Sequence, residues 1–222
     1  MRARLAGSRW LILFELALVA GAFWADAAGH VILSKTLYLL PVFALSVWLR
    51  GAGWKAFGLT PGPRFGWIIL LGLAGGAVLE AQELFITQPI LTDLAGHGPD
   101  LSDFKVLEGN PTLLAIGLVA VWTLAAFGEE LVYRAWLMPR VAQLFGGKPG
   151  AWVFSLILVS VLFGFAHGYQ GWVGMTENVI DGLILGVLYL LAGRNLWAPA
   201  IAHGMQDTID LLLIYSGAYP GL

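Results

Sequence analysis

Pro111-Thr-Leu-Leu-Ala-Ile-Gly-Leu-Val-Ala-Val-Trp-Thr-Leu-Ala-Ala-Phe-Gly-Glu-Glu-Leu-Val-Tyr-Arg134 is the stretch that decides the fold. From Pro111 to Phe127 it carries no ionisable side chain, and about 20 apolar residues suffice to cross a bilayer as a helix. It then sets Glu129 and Glu130 side by side, with Arg134 one turn further on. Carboxylates inside a membrane are costly unless they are paired or face water, so such residues mark a functional site by default.

Outward from this stretch the same kind of apolar run recurs, at about 10–28, 31–49, 65–88, 150–168, 177–193 and 197–215. The 222 residues are 59% hydrophobic and only 12% charged, with a mean hydropathy of +0.79, which excludes an ordinary soluble domain. The expected fold is all-α: a polytopic transmembrane helical bundle of seven spans, or eight if Arg134 to Phe145 dips into the bilayer as well. No internal repeat or soluble domain interrupts it, so residues 1–222 form a single integral membrane domain. The chain has no cysteine, hence neither disulfides nor thiolate ligands. A net charge of −2 gives no reason to expect nucleic acid as a partner.

The distribution of charge says more than its sum. With the N-terminus inside, the inner segments hold Arg2, Arg4, Arg9, Arg50, Lys55, Arg64, Arg134, Arg140, Lys148 and Arg194, and the outer ones only Lys35 and Lys105. Ten of twelve basic residues on one side predict a cytoplasmic N-terminus, an outer C-terminus and an outer, largely acidic loop from Asp93 to Glu108 in a bacterial-type plasma membrane. Residues 1–28 also have the make-up of a cleaved signal peptide. A retained first span is the preferred reading, because further spans follow at once.

Gly72, Gly75 and Gly76 in the third span suit close helix packing. Glu80 and Glu83, three apart, share a face there, lining either a polar cavity or the outer interface. The Gly- and Pro-rich turn from Arg50 to Arg64 reads as interfacial, with Trp54 and Phe57 at headgroup depth. The loop from Gln88 to Pro111 forms a surface helix or a lid. Its acids Asp100, Asp103 and Glu108 lack the spacing of a calcium loop and read as solvated surface.

Polar residues recur at helical spacing inside three spans. Glu130 and Arg134 are i,i+4 and can pair, which leaves Glu129, roughly 100° round the helix, to point elsewhere. His203 and Asp207 are also i,i+4, and His167 stands four residues after Phe163. A glutamate in a dry site can take a proton from water, one histidine can orient that water, and a second can donate to the oxyanion that forms on a peptide carbonyl. The same glutamate and two histidines match the ligand set of open catalytic zinc sites. The cofactor is therefore either none or a divalent metal such as zinc, with Glu129, His167 and His203 as ligands. His-Glu-x-x-His and Gly-x-Ser-x-Gly are both absent, and Ser155 and Ser160 read as helix-packing serines. Taken singly, each histidine is more simply an interhelical hydrogen bond, and Tyr133 and Trp136 are packing residues.

Glu129-Glu130-x-x-x-Arg134, Phe163-x-x-x-His167 and His203-x-x-x-Asp207 resemble, in order, the three motifs of the CAAX-protease and bacteriocin-processing family, which includes the type II CAAX prenyl endopeptidases. The resemblance covers about residues 110–212, and Asn178 with Gly182 and Gly186, and the Ala198-Pro-Ala approach to His203, fit the same setting. It implies an intramembrane endopeptidase with a cavity open toward the cytosol and a membrane-associated peptide or protein, lipidated or leader-type, as substrate. In it Glu129 is the general base, His167 its partner, and His203 with Asp207 the oxyanion stabilisers. Glu130, Arg134 and Asn178 support the site.

Two features strain this reading. Asp207 stands where asparagine is common, and an ionised carboxylate would repel an oxyanion, so it is protonated, orients His203, or helps hold a cation. Counting 1.5 Å per residue from the inner ends also places His167 nearer the outer side than Glu129, so tilt or a kink must bring it back. The alternatives are a small proton- or ion-coupled transporter using Glu129, His167, Asp181, His203 and Asp207, and a proteolytically silent scaffold of the same fold.

Overall fold

The computed structural model describes residues 7–31 and 34–222; Arg2 and Arg4 of the charge count lie outside them. The chain is all-helical, with no strand among the described residues. Helix α1 spans Arg9–Ala27 and α2 spans Lys35–Arg50. Helix α3, Phe65–Gln82, runs through a π-helical turn, Glu83–Thr87, into α4, Gln88–Ala95. Helix α5, Pro111–Ala120, continues through the π-helical segments Val121–Glu129 and Leu131–Leu137 into α6, Met138–Leu144. Helices α7, Pro149–Ala166, α8, Gly171–Leu191, and α9, Trp197–Tyr215, complete the bundle.

Local chemistry sets these limits. The Asn110 side chain accepts from the Leu113 amide at 3.1 Å, and Pro111 in the first turn loses nothing by lacking an N–H. At the far end Gly146 and Gly147, with φ of 89° and 67°, supply the left-handed backbone that stops the helix. Between these stops lies one uninterrupted helix of 34 residues, Pro111–Leu144, about 51 Å long at 1.5 Å per residue. Arg134 to Leu144 therefore continues that helix and makes no separate eighth crossing.

Among the described residues five helices are long and apolar enough to cross a membrane: Arg9–Ala27, Phe65–Ala95, Pro111–Leu144, Pro149–Ala166 and Gly168–Leu191. Helix α2 has only 16 residues, and α9 carries His203, Gln206, Asp207 and Asp210 along its length. These two fall short by length and composition respectively.

Successive long helices alternate in direction, which sorts the connections onto two ends. At one end the loop 58–60 meets the segment 194–197: the Leu196 amide donates to the Gly58 carbonyl at 3.1 Å and the Trp197 indole to the Leu59 carbonyl at 2.9 Å. The Arg194 guanidinium lies over Trp152 beside the start of α7. At the opposite end the Asp100 amide donates to the Gln170 carbonyl at 2.9 Å and the Gly109 amide to the Tyr215 carbonyl at 3.0 Å. The Ser102 hydroxyl, at 2.6 Å, and its amide, at 3.1 Å, hold the Asp100 carboxyl below the usual carboxylate range and fix that turn. Of the basic residues described, only Lys35 and Lys105 belong to this second end.

The core is centred on the buried face of α2 and the second half of the long helix. Trp136 donates to the Ser46 hydroxyl at 3.1 Å, and Tyr133 packs edge-on to Phe163 at 5.2 Å. Phe57 does not reach the interface as its composition suggested. It is 2% exposed and packs edge-on to Phe43 at 5.1 Å, because the turn Trp54–Phe57 folds under the bundle. Arg50 is likewise buried, holding Glu15 of α1 through two bonds of 2.5 and 3.0 Å. Ser155 and Ser160 donate to the Met138 and Leu156 carbonyls, the packing role expected of them.

Small residues permit the closest contacts. A Cβ on Gly72 or Gly76 of α3 would meet Ile201 or Met205 of α9 at 2.8–2.9 Å, and one on Gly164 of α7 would meet the Met175 carbonyl of α8 at 2.4 Å. A backbone oxygen cannot step aside as a side chain can. Gly164→Ala is therefore expected to destabilise the protein by about 1–3 kcal/mol through overpacking, read as a lower unfolding temperature in detergent.

Candidate active site

The Glu130 and Arg134 side chains form a buried pair, 0% and 1% exposed, at 2.6 Å. Arg134 also donates to the Gly182 carbonyl of α8 at 3.2 Å, and its guanidinium lies 4.4 Å from the centre of the Phe163 ring of α7. Glu130 in turn accepts from, or pairs with, Nδ1 of His203 on α9 at 3.1 Å. One ion pair thus touches the long helix, α7, α8 and α9 together. The i,i+4 spacing read from sequence is realised, and Glu130 reaches one helix further than expected.

Glu129 points the other way, into a cavity of about 560 Å³. Its Oε1 accepts from the Thr36 hydroxyl at 3.2 Å, while its Oε2 is shielded from bulk solvent and has no hydrogen-bond partner among the described residues. His167 and His203 line the same cavity. Phe163 touches both rings, with centroids 4.9 Å from His167 and 5.9 Å from His203. The depth mismatch counted along the sequence does not keep His167 out of the cavity that Glu129 and His203 line.

Each histidine is oriented by a defined neighbour. Nδ1 of His167 sits 2.9 Å from the Phe163 carbonyl; a carbonyl only accepts, so Nδ1 donates and the neutral ring keeps Nε2 as an acceptor. Nδ1 of His203 faces Glu130, and its Nε2 faces Asp207 at 3.6 Å, longer than a hydrogen bond. Asn178 lines the cavity, and its amide donates to the Gln170 side chain and the Gly174 carbonyl, each at 2.9 Å. It therefore fastens the turn between α7 and α8.

The donor set put forward for a metal does not assemble. Among the described residues no three His, Cys, Asp or Glu side chains converge in a way that could hold an ion, and three of the four ring nitrogens already face protein partners.

Several lining residues escaped the sequence reading. Thr36 is a lone threonine in the first turn of an apolar helix, with no periodic signal. Gln206, three residues after His203 and four before Asp210, lay within the same periodicity and was legible. Glu83 lines the cavity, as one of its two readings expected, whereas Glu80 is buried at 8% exposure without being among the cavity's lining residues.

Residues 111–209 match the family model described as Type II CAAX prenyl endopeptidase Rce1-like. This stretch resembles that family, over less than half of the chain. It holds all three motifs and every element from α5 to α9 that contributes to the Glu130–Arg134 cluster, whereas α1 to α4 lie outside the match. The Rce1-like match and the apolar helices together make the chain an integral membrane protein and support a CAAX-type intramembrane protease in general. Comparison with curated proteins and with solved structures gives no match.

Breaking a buried ion pair strands its partner charge at a cost of about 3–5 kcal/mol. Arg134→Met is expected to lower the unfolding temperature strongly, whereas Glu129→Gln, which keeps the acceptor for Thr36, leaves it nearly unchanged. Thermal unfolding of the two purified variants checks both.

Proposed function

We propose that the chain is an intramembrane endopeptidase in which Glu129 activates water to hydrolyse a peptide bond in a membrane-associated substrate. The observation that carries this reading is the free Oε2 of Glu129 in a cavity shared with His167 and His203. Oε2 takes a proton from the water, the hydroxide attacks the peptide carbonyl, and the same proton passes to the leaving amine as the tetrahedral intermediate collapses. Nε2 of His167 accepts from the water and orients it. Nε2 of His203, not committed to a hydrogen bond at 3.6 Å from Asp207, donates to the oxyanion. The Rce1-like match supports the reaction class.

Glu129→Gln removes the base and keeps its shape. It is expected to lower kcat by at least about 10²-fold, measured on a fluorogenic transmembrane peptide in nanodiscs; full activity would overturn the assignment. Asp207→Asn replaces a carboxylate beside the developing oxyanion with an amide that can donate. It is expected to cleave at least as fast as the unsubstituted protein, and Asp207→Leu more slowly.

The cavity also bears on orientation. Its rim residues Ser34, Pro99, Leu101, Tyr169 and Gln170 belong to the end opposite the basic loops. A cytosolic cavity and a cytoplasmic N-terminus therefore exclude each other. The charge asymmetry favours α2 and α9 crossing together with the five longer apolar helices, with the basic loops inside, and hence a cavity that opens away from the cytoplasm. Because the chain has no cysteine, single cysteines are clean reporters. Cysteine at Lys105 is expected to react with an impermeant maleimide on intact cells, and cysteine at Lys148 only after lysis; the reverse pattern would place the cavity on the cytosolic side.

A further inference from the structure

Beyond the Glu129 region the cavity is lined by a second polar group, Glu83, Glu177, Asp181 and Asp210, contributed by the π-turn after α3 and by α8 and α9. Glu83 is the charged neighbour common to the other three. The Gln206 carboxamide donates to both Glu83 and Asp181. The Tyr219 hydroxyl donates to Glu83 at 3.0 Å, and Gln82 donates to Asp181 at 2.8 Å. Two acceptors are fully buried and unused: Oε1 of Glu177, in a side chain only 3% exposed, and Oδ1 of Asp210 have no hydrogen-bond partner among the described residues. The cations lining the cavity are engaged elsewhere, Lys35 with Asp26 and His203 with Glu130 and Asp207. Among the described residues no ion pair reaches any of the four acids.

We propose that Glu83, Glu177, Asp181 and Asp210 form a subsite that takes a cationic side chain, lysine or arginine, of the peptide substrate. Four acids in one low-dielectric pocket repel one another in their ionised forms, and buried acceptors without a donor are costly, so the pocket is complete only when a cationic donor enters it. The donor is an extended organic cation and not a bare metal ion, because the carboxylates are spaced by the Gln206 carboxamide and do not converge on one point. Position follows from α9. Gln206 and Asp210 lie three and seven residues beyond His203, about 4.5 and 10.5 Å along the helix at 1.5 Å per residue. An extended peptide advances about 3.3 Å per residue, which places the basic residue two or three positions from the scissile bond.

This rests on the peptidase reading for its substrate, and the test keeps the two apart by measuring binding separately from cleavage. The probes are labelled Leu/Ala peptides of about 20 residues carrying a single Lys at successive positions, with Gln and Glu counterparts, added to the full chain in nanodiscs. The Lys peptide with the best-placed charge is expected to bind at least about tenfold more tightly than its Gln counterpart, with the Glu peptide weakest. Glu177→Gln and Asp210→Asn should each erase most of that preference, and the peptide series on the unsubstituted protein decides the matter even if either variant fails to fold. Equal affinity for Lys and Gln peptides overturns the subsite, as does a preference untouched in both folded variants. Equal peptide affinities together with displacement of every peptide by magnesium or calcium would assign the cluster to an inorganic cation and also overturn it. Discrimination in binding without cleavage would leave the subsite standing and remove the peptidase; cleavage without discrimination would do the opposite.

Discussion

The structure depends on the contact between Arg134 and Glu130. A guanidinium and a carboxylate almost wholly removed from solvent are worth little as an isolated pair, because desolvation offsets most of their attraction. Their value here lies in what else they hold. Gly182 can bring its carbonyl to Arg134 because a glycine lets α8 approach the Ser160 backbone of α7, where even a Cβ would stand 3.0 Å away. Phe163 offers a ring face to the same cation and also touches the two histidines. A change at this pair would loosen helix packing and histidine alignment together.

With Glu130 committed to this cluster, its neighbour Glu129 is left to face the cavity. Adjacent residues on a helix diverge by about 100°, so one carboxylate can be saturated with donors while the next faces an open volume. The wide π-helical turns on both sides of Glu130 belong to a class of distortion that recurs at functional sites.

What was legible in the sequence follows from the kind of information that spacing carries. Periodicity within one helix fixed the spacing of Glu130 with Arg134 and of His203 with Asp207, and the order of three such motifs pointed to the family whose model matches residues 111–209. Relations between helices were harder to read. That Thr36 meets Glu129, or that Glu83 and Asp181 share one glutamine, depends on the rotation and relative level of separate helices, which no local pattern encodes. Phe57 illustrates the same limit in reverse: its aromatic, loop-borne context matched an interfacial anchor, yet its position under α2 made it core. The residues after Arg134 were read apart from the long helix, yet they continue it to Leu144.

The separation of charge between the two ends has an electrical consequence. If the basic loops face a cytoplasm held at negative potential, the acid-lined cavity lies on the positive side of the transmembrane voltage. A cationic group moving inward through the cavity then descends the field. Each elementary charge crossing the full membrane gains about 2.3 kcal/mol per 100 mV, and a charge that stops part-way gains the corresponding fraction. An energised membrane would help to load such a site, and its collapse would weaken retention of a basic substrate without altering a single contact.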